Sequence, residues 1–178
     1  MIRTPVAVVP YLVAAAMIVA GILWHEADQL GGLGRTAESG TATIGGPFSL
    51  IDQDGKARTQ ADFRGRFLLI YFGYSFCPDV CPTTLAEMGA ALDTLGSKAD
   101  RVVPLFISID PERDTPKVLK AYLKSFGTNF IGLTGSIKNV EQAARAYHVY
   151  IKKRSLPGGS YSMDHSGVIY LMGPDGKF

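Results

Sequence analysis

Strands that alternate with helices along 178 residues predict an α/β domain with a mixed central sheet flanked by helices. Two observations carry that prediction. The apolar runs Phe67–Phe72 and Val102–Ile109 read as buried strands, and each is followed by a stretch with helical spacing. A final hairpin signature, the strand over 168–172 followed by the Pro174-Asp175-Gly176 turn, gives the sheet its mixed character.

The elements follow in order. Phe48–Ile51 and Lys56–Thr59, joined by Asp52-Gln53-Asp54-Gly55, form a β-hairpin signature with an Asp-Gly turn. The strand over 67–72 leads into Cys77-Pro78-Asp79-Val80-Cys81-Pro82, and Pro82 suits the first turn of a helix that continues to about Leu95. After the strand over 102–109, Asp114 or Thr115 caps a helix opened by Pro116 and running to about Phe126. Phe130–Leu133 is a short strand. Ser136 caps a helix through about Tyr147, with Ile137, Val140, Ala144 and Tyr147 on its apolar stripe. Val149–Ile151 reads as a strand, Pro157-Gly158-Gly159 as a loop, Val168–Met172 as the last strand and Pro174-Asp175-Gly176 as a turn. The chain stops at Phe178, where a final strand and helix are expected to cover the sheet.

Residues 44–178 are therefore the expected folded domain. Before them, residues 26–43 are rich in Gly, Ala, Ser and Thr and read as a flexible linker. Residues 1–25 read as one transmembrane anchor: Thr4 to Trp24 carries no charge and as a helix would reach roughly 31 Å, close to a bilayer's hydrocarbon thickness. Arg3 before the span, with Glu26 and Asp28 after it, orients the domain outward from the cytoplasm. A cleaved secretory signal normally has a shorter apolar core. The net charge of +2, without a basic stripe interleaved with aromatics, gives no support for nucleic-acid binding.

Cys77 and Cys81 are the chain's two cysteines, placed together at one strand-to-helix turn. If that turn is helical they share a face near the positive end of the helix dipole, where thiolates are favoured. The pair alone is compatible with a redox motif, a structural disulfide or a metal pair. His165, in Met163-Asp164-His165-Ser166, is expected in the loop before the last strand, beside the end of the first central strand where the cysteines lie. Two thiolates with one imidazole suit copper, and zinc would also accept them with a fourth ligand. His25 and His148 read as structural. Asp110–Pro116 reads as a strand end, a turn and a helix cap; in the alternative, Asp110 and Arg113 frame the neighbouring metal loop or a partner surface.

Four blocks, Tyr71–Pro82, Phe106–Pro116, Tyr161–Ser166 and Tyr170–Phe178, in this order and spacing, resemble the Sco/SenC family of thioredoxin-like copper-binding proteins. The resemblance spans about residue 45 to the end and also fits an N-terminal membrane anchor. It implies a thioredoxin-like fold and a copper site made of Cys77, Cys81 and His165. It further implies delivery of copper to, or maintenance of thiols in, the dinuclear copper centre of cytochrome c oxidase subunit II. A thioredoxin pattern places a proline before the last strand; His165 stands close to that place, which shifts weight towards metal binding.

The expected function is thus a copper metallochaperone that binds Cu(I) and Cu(II), with the site closed when Cys77 and Cys81 form a disulfide. The alternative is a membrane-anchored thiol–disulfide reductase acting on that subunit, with Cys77 as nucleophile and Cys81 as resolving thiol. The expected place is a bacterial inner membrane, spanned once, with the domain in the periplasm. No Arg- and Ser-rich leader of the mitochondrial kind precedes the anchor.

Overall fold

A computed structural model of the chain describes residues 43–178 except Thr128, together with Met17. Apart from Met17 and Thr43, the expected anchor (1–25) and linker (26–43) lie outside the described residues, among which no helix is long and apolar enough to cross a membrane. Residues 43–178 form one compact unit.

The chain opens with β1 (Ser49–Asp52) and β2 (Ala57–Thr59), an antiparallel hairpin with Leu50 opposite Arg58. Its turn is built on Asp52. That buried carboxylate accepts from the backbone N–H of Asp54 and Lys56, each at 2.9 Å, and from Arg58 Nε at 2.7 Å. Burial opposes ionisation of Asp52, but these donors prevail and hold it below the usual carboxylate range. Gly55, at φ 81°, supplies the left-handed position that the turn requires.

Next come β3 (Phe67–Gly73), α1 (Val80–Leu95), β4 (Val102–Ser108), α2 (Pro116–Leu123), β5 (Ile131–Thr134) and α3 (Ile137–Ala146). Strands β3, β4 and β5 are parallel neighbours, with Tyr71 opposite Phe106 and Ile107 opposite Leu133. Being covered on both faces, β3 and β4 are nearly continuous apolar runs. Thr115 caps α2 by accepting from Val118 N–H, and Ser136 caps α3 by accepting from Asn139 N–H at 3.2 Å. α2 ends at Leu123 and passes into a 3-10 turn to Phe126, so the expected helix is reached in two parts.

The last three strands are β6 (Ile151–Ser155), β7 (Tyr161–His165) and β8 (Ile169–Met172). The main sheet runs β2-β1-β5-β4-β3-β8, with β1 and β8 antiparallel to their neighbours, while β6 and β7 pair only with each other. This is the expected mixed sheet with helices on both faces. On one face Phe106 packs between Tyr71 and Tyr122 of α2; on the other Phe72 packs on Tyr147 after α3 and on Tyr170 of β8. α2 lies so close over β5 that a Cβ at Gly132 would fall 2.5 Å from Leu123 Cδ1.

Three expectations are corrected. The strand placed at Val149–Ile151 begins at Ile151 and continues to Ser155, through Lys152, Lys153 and Arg154. His165 lies not in a loop but at the end of β7, opposite Ile151. The ribbon has no buried face to write an apolar alternation into its sequence, so pattern alone misplaces its strands. Ile137, expected on the apolar stripe of α3, is an exposed first residue of that helix.

Candidate metal centre

The site is built at the C-terminal end of β3. Gly73 ends that strand, and Cys77 lies in the bend between it and α1, outside the helix; Cys81 is the second residue of α1. The bend is held at both ends. Cys77 N–H donates to Tyr74 O at 3.2 Å, and Thr83 Oγ1 donates to Asp79 O at 3.0 Å inside the first helical turn.

Asp114 fixes the start of the bend. Its buried carboxylate accepts from Ser75 N–H at 3.0 Å, from Ser108 Oγ–H at 2.6 Å and from the Ser75 hydroxyl. Burial still raises this carboxyl above its ordinary range. Space for the second thiol comes from Gly73: a Cβ there would stand 2.9 Å from Cys81 Sγ and 2.9 Å from the Phe106 ring.

The two thiols, both reduced, live in opposite environments. Partial burial pushes the Cys77 thiol up. The N–H groups of Asp79, Cys81 and Val80 directed at its sulfur, together with the Cys81 thiol, outweigh that and leave it below the ordinary thiol value. Cys81 is fully buried, and burial pushes it to about 12 in spite of donors from the Tyr74 N–H and the Tyr71 hydroxyl. A thiolate therefore forms first at Cys77.

His165 comes to this pair from β7. Its Nε2 is 3.5 Å from Cys81 Sγ, and its ring lies edge-on between Tyr71 and Tyr74, with centroids 6.0 and 6.1 Å away. Nδ1 is 3.0 Å from Ser166 O. A carbonyl only accepts, so Nδ1 carries the proton and Nε2 presents its lone pair towards Cys81. This is the orientation in which an imidazole ligates a metal.

The structure thus brings Cys77, Cys81 and His165 together pairwise, with Cys81 the shared member. Among the described residues no three His, Cys, Asp or Glu side chains close into a metal-holding group as they stand. A soft ion drawing both thiolates and Nε2 inward would complete the set, and two sulfurs with one imidazole nitrogen match copper in chemistry. His148 stands apart. It follows α3 at φ 55°, with Nε2 3.3 Å from Thr43 O, and His25 is outside the described residues. Sequence reading assigned Gly73 and Ser75 no role of their own and offered Asp114 only as a helix cap, a place that Thr115 takes. The Gly in Tyr71-Phe72-Gly73-Tyr74 was the available signal for the first, whereas the Ser75–Asp114 link joins residues far apart in the chain.

The SCO1/SenC family model matches residues 36–178. The chain belongs to the SCO1/SenC family. Among curated relatives, SCO1 homolog 1 of Arabidopsis thaliana, a mitochondrial protein, is 45% identical over 141 residues, covering 79% of this chain and 42% of that protein. The chain spans about half the length of the first such relatives it matches. Among solved structures, copper-bound ScoI of Bradyrhizobium japonicum is 50% identical with a TM-score of 0.73, covering 76% of this chain and 86% of that one. BsSco, described as a member of the Sco family of cytochrome c oxidase assembly proteins with a disulfide switch, is 30% identical with a TM-score of 0.62, covering 76% and 81%. The thioredoxin-like α/β fold expected of the family is therefore present.

Proposed function

We propose that this protein is a copper metallochaperone that holds the ion through Cys77, Cys81 and His165 and delivers it to the dinuclear copper centre of cytochrome c oxidase subunit II. The observation that carries this reading is the meeting of His165 Nε2 and Cys81 Sγ at 3.5 Å, with Nδ1 committed to Ser166 O. A stapling disulfide or a thiol reductase would not require an imidazole held in that tautomer. The copper-bound relatives support the choice of ion, and the assembly role of BsSco supports the acceptor.

Copper is the cargo, so its release matters as much as its capture. Cys77, half-exposed and the more acidic thiol, would take the ion first, and Cys81 would lose its proton on binding. In transfer, acceptor thiolates displace these ligands one at a time, starting from the exposed side. Residues 1–25 would anchor the protein in a bacterial inner membrane, residues 26–43 would tether it, and residues 44–178 would work in the periplasm.

The second reading, a thiol–disulfide reductase, is favoured by the contrast between the thiols. A half-exposed, acidified Cys77 is placed to attack a substrate disulfide, and a buried Cys81 to resolve the mixed disulfide. Anaerobic copper titration of the reduced protein, beside His165→Ala and Cys77→Ser, separates the two. The chaperone binds one copper, weakened by both substitutions. A loss with Cys77→Ser alone would favour the reductase. The disulfide form should bind neither copper state tightly.

A further inference from the structure

We propose that Arg113 is a positioning residue for the metal site, holding the β6–β7 ribbon so that His165 meets the thiols; this rests on the copper reading above. The ribbon hydrogen-bonds to no strand of the main sheet, and two antiparallel strands alone are marginal in water. Something outside the ribbon must therefore set where its end lies.

Arg113 stands between the two segments that carry the site. Its Nη1 donates to Tyr161 O at 3.0 Å, its Nε pairs with Asp110, and Tyr161 OH donates to Asp110 Oδ1 at 2.8 Å. The guanidinium lies 3.7 Å from the centroid of the Tyr161 ring, 4.8 Å from that of Phe76 and 5.7 Å from that of Tyr74. Tyr161 begins β7 and His165 ends it, and residues two and four apart share a face of a strand. Phe76 is the neighbour of Cys77. One cation thus touches both the start of the histidine strand and the residue beside Cys77. Nη2 is buried and makes no hydrogen bond, so the guanidinium is committed to this stack of rings instead of to solvent.

The ribbon also rests on the core through Ile151, which pairs with His165, and through Met163 two residues before it; both contacts are at the ligand's end of the ribbon, and neither reaches the cysteine bend as Arg113 does. The Lys153–Glu112 pair is exposed, and the Met163 N–H reaching the Tyr74 hydroxyl sits two residues from His165. A lysine at 113 would restore charge opposite Asp110 but could not make two aligned hydrogen bonds while stacking flat on Tyr161.

The test uses the full chain, solubilised in detergent, with Arg113→Ala, Arg113→Lys and the milder Tyr161→Phe, each alone and combined with His165→Ala. In the metal-free protein, Arg113→Ala should speed amide exchange in β7 and leave β3 and β4 unchanged. In the copper-loaded protein it should weaken Cu(II) binding about 10-fold or more. It should add no more than about twofold once His165 is already alanine. Arg113→Lys should remain impaired, and Tyr161→Phe should move in the same direction by less. Equal losses with and without His165, faster exchange through β3 and β4, or no change in β7 would each overturn the proposal. If His165→Ala itself left copper binding untouched, the copper reading would fall, an outcome distinct from all of these.

Discussion

Cys81 and His165 approach each other from two differently built parts of the molecule. Cys81 follows β3, a strand enclosed by neighbours on both edges and by helices on both faces, and its side chain is wholly buried. His165 ends a two-stranded ribbon of which β6 is exposed over nearly its whole length. The position of Cys81 is dictated by core packing, which has few alternatives. The position of His165 depends on a handful of polar and ring contacts and on the partly buried Ile151 and Met163. The site thus has one wall inside the core and one wall on an exposed ribbon, an asymmetry that fits the proposed release of copper.

The contrast is broken most severely from the core side. Phe106→Ala removes a fully buried ring that packs on Tyr71 and Tyr122. It should cost about 3–5 kcal/mol of stability in urea unfolding, taking the cysteine bend down with the sheet. Gly73→Ala is next, at about 1–3 kcal/mol, because its methyl group must displace Cys81 Sγ or the Phe106 ring. Circular dichroism should show an intact fold, while the altered Cys81 sulfur weakens copper binding.

A smaller, pH-dependent contrast separates the two thiols. The thiolate is the reactive form, and Cys77 is held below the ordinary thiol value while Cys81 is pushed to about 12. Iodoacetamide modification of Cys77 should therefore reach half its limiting rate at a lower pH than that of an unstructured cysteine peptide run beside it. Cys81 should stay unmodified across the same pH range. A midpoint at or above that of the peptide would remove the basis for assigning first contact to Cys77. The smallest effect belongs to the ribbon's outer face: Arg154→Ala breaks its exposed pair with Asp164 and should leave the melting temperature unchanged.

The same contrast decides how much could be read from the amino-acid sequence. Strands β3 and β4 and the caps Thr115 and Ser136 were legible because buried parallel strands and helix starts impose patterns within a few residues. The ribbon's first strand was started two residues early and ended four residues short at Val149–Ile151, and His165 was put in a loop, because exposed strands leave no such imprint. The cysteine pair stood out from its spacing, whereas His165 gained its weight from the block around it. The Asp114–Ser75 and Arg113–Tyr161 links span 39 and 48 residues, and no local pattern announces a contact of that kind.

The central claim is that two sulfurs and one imidazole hold a single ion. X-ray absorption at the copper edge of the reduced, Cu(I)-loaded protein counts those neighbours directly. The account predicts two sulfur scatterers and one imidazole, with the imidazole signal lost in His165→Ala. Two sulfurs without an imidazole in the unsubstituted protein would contradict it.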